Sequence, residues 1–215
     1  LRIFAPLFLI ALLVVGSYNA YTPVVRHAEI TLDKPLVKPV RIALASDTHF
    51  GILFGARQID KLVDIVNREQ ADVVLLAGDV MDDNTDYYRS ENMQPHLEKL
   101  RAPLGVYATM GNHDLFGHQA EINTELTKAG VRVLNDEAVE LAQSFTIVGR
   151  LDDLEKQRKT TTELLQKVNT NKHVILIDHR TSHIEEQSQL PIDIKVSGHT
   201  HNGQLVPANL IFRSL

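Results

Sequence analysis

Cysteine is absent from all 215 residues, which excludes disulfides, thiolate nucleophiles and Cys-ligated zinc together. A basic excess is missing as well. Lys and Arg total 22 against 27 Asp and Glu, a formal charge of -5, so nothing electrostatic points to nucleic acid as a partner. No internal repeat or low-complexity segment is found. Ten His and 27 acidic residues remain, so any metal site must be built from imidazole, carboxylate and amide groups. That donor set suits manganese, zinc or iron.

Ile3 to Val15 carries no charge. This run falls short of the roughly 20 residues that a full span needs, and the chain does not begin with Met. A membrane anchor, or the stub of a longer span, is expected over residues 1–20. A signal-peptide core and a buried N-terminal helix are the alternatives. Residues 21–39 hold Pro23, Pro35 and Pro39 with interspersed charge, which suggests a linker. The catalytic domain is expected over 40–215, cut short at its C-terminus.

From Val40 onward strands and helices alternate. Val40 to Ala45, Val73 to Ala77, Gly105 to Met110, His173 to Ile177 and Ile192 to Val196 read as strands. Shorter strands are expected at Ala138–Leu141 and Phe145–Val148. Helices are predicted over Ala56–Arg68, Glu91–Leu100, Gln119–Ala129 and Asp153–Val168. This alternation argues an α/β domain with layered sheets and helices outside.

Five strands end in polar clusters: Asp47-Thr48-His49, Gly78-Asp79-Val80-Met81-Asp82, Gly111-Asn112-His113-Asp114, Asp178-His179, and Gly198-His199-Thr200-His201. One such cluster is ordinary turn chemistry. Five of them, each rich in hard-metal ligands, would converge on one rim, because ligands of open α/β sheets gather at the carboxyl ends of the strands.

In this order the motifs DxH, GDxxD, GNHD, a later lone His and GHTH resemble the calcineurin-like metallophosphoesterase superfamily, from Val40 to Gln204. The apolar N-terminus is similar to its membrane-associated bacterial branch. The resemblance implies a layered α/β/β/α sandwich and two divalent metal ions (Mn, Zn or Fe). Asp47, His49 and His201 would hold one ion and Asn112, His179 and His199 the other, with Asp79 bridging. It also implies hydrolysis of a phosphomonoester or phosphodiester by a metal-activated hydroxide. His113 would protonate the leaving alkoxide or stabilise charge as it develops, oriented by Asp82.

Asp114 reads as a helix cap. His27, His96, His118, His173 and His183 match no motif and are expected on the surface or in the linker. Asp83-Asn84 replaces the Arg-Gly of protein serine/threonine phosphatases, which disfavours phosphoprotein substrates. Arg180 offers a phosphate contact or an exposed salt bridge. The apolar loop Phe50 to Gly55 either packs on the first helix of the domain or meets an acyl chain. Membrane association and a lipid-linked phosphoester substrate are expected partners on that second reading. The alternatives in function are a pyrophosphatase acting on a nucleotide-sugar lipid precursor and a non-catalytic scaffold. The face of the membrane and the oligomeric state are not legible in the sequence.

Overall fold

A computed structural model describes residues 3–36, 38–141 and 145–201. The chain divides into two compact units, residues 1–31 and 32–215. The first contains one helix among its described residues, α1 (Phe4–Tyr21), with every side chain from 4 to 20 exposed. Its composition is apolar on all sides rather than along one stripe, so within its own unit it has no face to bury. By length and composition this helix is able to cross a membrane.

Among its described residues, the second unit carries eight strands in two sheets. In chain order the elements of its first half are β1 (Ile42–Ala45), α2 (Ala56–Glu69), β2 (Val73–Ala77), α3 (Asp86–Ser90), α4 (Gln94–Leu97), β3 (Val106–Thr109), α5 (Gln119–Lys128) and β4 (Arg132–Val133). Strands β1-β2-β3-β4 form one parallel sheet. The second half holds β5 (Glu137–Leu141), β6 (Phe145–Arg150), α6 (Thr161–Leu165), β7 (His173–Asp178), α7 (Ile184–Gln187) and β8 (Ile194–Val196). Here β5 is antiparallel to β6, while β6, β7 and β8 run parallel.

The continuous apolar runs follow from burial on both faces. Along β2, Val74 and Leu76 face a helical layer with Ile59, Val63, Ile122 and Leu126. The alternate residues Val73, Leu75 and Ala77 pack instead against Ile147, Ile175 and Ile177 of the other sheet. Along β7 the same alternation puts Val174 and Leu176 against Leu164 and Leu165 of α6. Period-2 side-chain direction thus builds three cores and four layers, α/β/β/α, as expected. Each fully buried aliphatic side chain contributes about 1.5–3 kcal/mol.

Two predicted helices are shorter than expected. Glu91–Leu100 contracts to Gln94–Leu97, and a separate short helix, Asp86–Ser90, precedes it. Asp153–Val168 contracts to Thr161–Leu165, because a capping box at Thr160 and Glu163 starts the helix late. Ahead of it, Arg158 is drawn back to the Leu151 carbonyl and to Asp153, which holds 151–160 as a loop. His173 also departs from expectation. It is fully buried at the start of β7 against the Phe145 ring, 5.2 Å away, and is not on the surface. Gly203 and Gln204 lie outside the described residues.

Candidate metal centre

The parallel ladder between β1 and β2 continues beyond both strands and positions the first ligand candidates. Asp47 N donates to Gly78 O (3.1 Å), His49 N to Asp79 O (3.0 Å) and Phe50 N to Val80 O (2.9 Å). Asp47, His49, Asp79, His199 and His201 all adopt positive φ. That conformation costs on the order of 1 kcal/mol or more per non-glycine residue and survives only where its surroundings dictate it. Among the described residues, five of the ten non-glycine residues with positive φ are thus ligand candidates at one rim. Gly78, at φ +84°, makes room there: a Cβ would lie 2.5 Å from His179 Nδ1.

The ligand atoms of Asp47, His49 and His201 lie within 4.8 Å of one another, as do those of Asp79, His179 and His199. A third such group joins His49, Asp79 and His113, so Asp79 lies between the two sides. Its Oδ2 is 3.1 Å from His179 Nε2 and 3.9 Å from His49 Nε2. Asp47 Oδ1 is 3.4 Å from His201 Nε2 and 4.0 Å from His179 Nε2, and His49 Nε2 is 3.4 Å from His201 Nε2. His179 is fully buried, with Nδ1 2.7 Å from the Ala77 carbonyl. That contact turns Nε2 towards the carboxylates, as a backbone partner commonly does for a ligating histidine.

Electrostatics agree with a cation site. Burial pushes the Asp79 carboxyl up, but the neighbouring His179 imidazole outweighs it and holds the group below the usual carboxylate range. For His179, burial pulls downward and Asp79 wins, raising it. Burial lowers both His49 and His199, helped at His199 by the Arg180 guanidinium. Neutral His49 and His199 and an ionised Asp79 are the protonation states that a metal requires, and a cation beside Asp79 would take the place of the proton that the carboxylate favours on His179. His179 Nε2 and Asn112 Oδ1 are buried without a hydrogen-bond partner. A buried Asn112 oxygen without a partner, and a His179 Nε2 with only the Asp79 carboxylate before it, fit divalent cations, and Asp47, His49, Asp79, Asn112, His179, His199 and His201 are the side chains available to hold them.

His113 follows Asn112, and its backbone N–H donates to Asp79 Oδ1 (2.9 Å). Its Nδ1 lies 2.5 Å from Asp83 Oδ1. Asp82, expected to orient His113, stands 3.6 Å from His49 Nδ1 and also offers an oxygen within 4.8 Å of the nearest atoms of Asp83 and His113. The run Asp82-Asp83-Asn84 offers adjacent carboxylates, and the turn after Met81 brings the second one to the imidazole. Asp114 is not a helix cap. It is completely buried, and its oxygens accept from the backbone N–H groups of Val80 (3.2 Å), Met81 (3.1 Å) and Gly111 (3.0 Å). Burial raises its pKa to about 6 against those stabilising bonds. It ties the loop after β2 to the loop after β3, a role with no signal in the motif itself.

Arg180 takes the salt-bridge alternative, with a buried partner. Nε donates to Asp152 Oδ2 at 2.7 Å, and Nη1 is 3.4 Å from His199 Nε2. Asp152, which no motif singles out, is completely buried. In the apolar loop, Phe50 is buried and Phe54 packs against the core, while Ile52 and Leu53 are exposed. His183 pairs with Asp153 and Glu186 and belongs to none of the four ligand groups found among the described residues.

Residues 40–203 match the family model described as "Calcineurin-like phosphoesterase". An "Uncharacterized metallophosphoesterase" of Aquifex aeolicus (strain VF5) is 32% identical over 172 residues, covering 77% of this chain and 64% of its own length. A "Transmembrane protein with metallophosphoesterase domain" of Danio rerio is 29% identical over 218 residues, covering 93% of this chain and 49% of its own length. The chain thus spans 64% and 49% of these two relatives. One crystal structure superposes with a TM-score of 0.51 at 12% identity, covering 75% of this chain and 84% of that one, a likeness of fold alone.

Proposed function

This chain belongs to the calcineurin-like phosphoesterase family, and on that premise we propose that it hydrolyses a phosphomonoester or phosphodiester with two divalent cations, Mn, Zn or Fe, as cofactors. The observation that carries the proposal is the pair of three-residue donor groups with Asp79 between them. Asp47, His49 and His201 would hold one ion. Asn112, His179 and His199 would hold the other, with Asp79 touching both. When bound, such a pair supplies Lewis-acid charge to phosphoryl oxygens and acidifies a water molecule.

The chain's own residues do the rest. Asp79 gathers His179 and the His113 backbone on its two oxygens, which fixes the spacing of the donors. His113 stands at the mouth, its ring 4.7 Å edge-on to His49 and 5.2 Å from Phe116. With Asp83 on Nδ1, it holds a proton at Nε2 for the departing alkoxide. Asp82 steadies His49 from outside. The apolar helix Phe4–Tyr21 supports membrane anchoring of this activity. The relative in Danio rerio named as a transmembrane protein supports it too.

The test loads metal-free protein with Mn or Zn, counts the bound ions, and follows bis(p-nitrophenyl) phosphate and p-nitrophenyl phosphate. Two ions per chain and chelator-reversible hydrolysis of at least one ester are expected. Protein that binds both ions yet cleaves neither ester would favour the scaffold alternative.

A further inference from the structure

Six large apolar side chains stand exposed among the described residues of 32–215, and five of them follow the carboxyl end of a strand. Ile52 (72% exposed) and Leu53 (67%) follow β1, Phe116 (53%) follows β3, Leu154 (44%) follows β6, and Ile184 (54%) follows β7. Only Leu44 lies elsewhere, within β1 itself. Single apolar residues scattered over a surface need no explanation, but a set gathered around one opening does.

Local structure presents these side chains rather than leaving them loose. Phe50 is sunk in the core and bridges Met81 and Phe54, while Gly51 N donates to Phe54 O at 3.0 Å. The tight turn between these points projects Ile52 and Leu53 outward from an anchored base. Phe116 lies against His113. On the other sheet, Ser182 Oγ donates to Asp153 Oδ2 (3.1 Å), joining the loop that bears Leu154 to the segment that leads into Ile184. The rim around the candidate metal centre is thus apolar at points contributed by both sheets.

The chain itself indicates what covers this rim. Helix α1 has 18 residues and no charge. At 1.5 Å per residue it is about 27 Å long, close to a bilayer's roughly 30 Å hydrocarbon core. Residues 22–33 then reach up to about 40 Å before Lys34 is fixed to Asp193 by an ion pair. A lipid surface is therefore within tether range of the second unit whenever α1 is inserted, at high effective concentration.

We propose that the rim formed by Ile52, Leu53, Phe116, Leu154 and Ile184 docks on the bilayer that holds α1, with its apolar tips at the headgroup–acyl boundary. Resting on the phosphoesterase reading, the consequence is that the metal centre meets phosphoesters carried in the lipid surface, ahead of those free in solution.

The chain has no Trp, so a single introduced Trp reports its own surroundings. Full-length Leu53→Trp and Leu44→Trp are reconstituted in vesicles of phosphatidylcholine and phosphatidylglycerol, with and without lipids brominated along the acyl chain. Docking at the shallow depth usual for interfacial residues predicts that Leu53→Trp emission shifts to the blue and is quenched about twofold, while Leu44→Trp does neither. Equal quenching of both variants, or none, overturns the proposal. The fluorescence needs neither metal nor substrate. Quenching in a protein that hydrolyses no ester would sink the phosphoesterase reading and support docking. Hydrolysis of soluble esters without quenching would do the reverse.

Discussion

The two halves of the candidate metal centre are held in different ways. On the first sheet, Asp47, His49 and Asp79 are set by main-chain hydrogen bonds between adjacent loops, and the buried Asp114 clamps three more backbone N–H groups behind them. On the second sheet, His179 is tied to the backbone, but His199 stands between Asp47, which accepts from its N–H at 2.9 Å, and an Arg180 guanidinium held by Asp152. One half is positioned by main-chain hydrogen bonds gathered on a completely buried carboxylate, out of reach of salt. The other depends on ion pairs, whose strength changes with charge and solvent screening. A single site thus combines a rigid wall with a tunable one.

Breaking the residue shared by both halves should have the largest effect. Asp79 touches the His113 backbone, His179 and His49, so Asp79→Asn removes the charge about which both sides are gathered. Hydrolysis should fall by about 10³-fold or more in kcat/KM, and at least one of the two ions should be lost. Retention of both ions with near-normal turnover would show that the halves are independent.

Next in size is a pH effect confined to the first half. In metal-free protein the Asp114 carboxyl is raised from 3.8 to about 6 by burial. A raised acid in the folded state makes the native form the better proton binder. Its contribution to stability is therefore complete below pH 3.8 and is lost as pH rises through about 6. The loss amounts to about 3 kcal/mol at about 1.4 kcal/mol per pH unit. Urea midpoints measured from pH 4 to 7 should fall with pH more steeply in the unsubstituted protein than in Asp114→Asn. The variant should also start about 2 kcal/mol lower, because an amide cannot accept as many of the three backbone bonds. Parallel pH profiles would mean that Asp114 is already ionised at low pH and that the wall is not strained by its charge.

The third effect decides which carboxylate serves His113. Asp83→Ala should slow the hydrolysis of esters with poor alkyl leaving groups by about 10²-fold, and nitrophenyl esters much less, because only the former need the proton. Asp82→Ala should act through His49 and show no such dependence on the leaving group. If the two variants exchange behaviours, Asp82 is the orienting residue after all.

Much of this molecule could be read from its sequence because burial on both faces writes a strand as an unbroken apolar run. Val73 to Ala77 and His173 to Ile177 are legible for that reason, and the polar residues that end them mark the rim. What escaped notice depends on distances between segments. Asp82 and Asp83 are neighbours of the same type, and only the course of the turn decides which meets His113. Asp114 resembles a capping residue because two of its three partners, Val80 and Met81, lie in a loop 34 and 33 residues earlier. The stretch 153–160 has helix-compatible composition, yet Arg158 is recruited elsewhere and ends that option. His173 has ring nitrogens without hydrogen-bond partners in a core, which no local pattern announces.

The smallest effect tests the tunable half alone. Arg180→Lys keeps a positive charge but gives up the guanidinium that spans Asp152 and His199. A lysine ammonium is a point charge and cannot hold both at once. The buried Asp152 keeps a cation nearby, so folding should be little disturbed, while His199 loses its flanking contact. Outer partners of metal ligands commonly influence affinity by tenfold or more. One of the two ions should therefore escape to a chelator about tenfold more readily, and the other should be retained as in the unsubstituted protein. Raising the salt concentration should widen this gap, because the remaining Lys–Asp152 attraction is partly solvent-exposed on its Arg180 side. Equal release of both ions at every salt concentration would mean that the two halves are mechanically one, and that charge does not distinguish them.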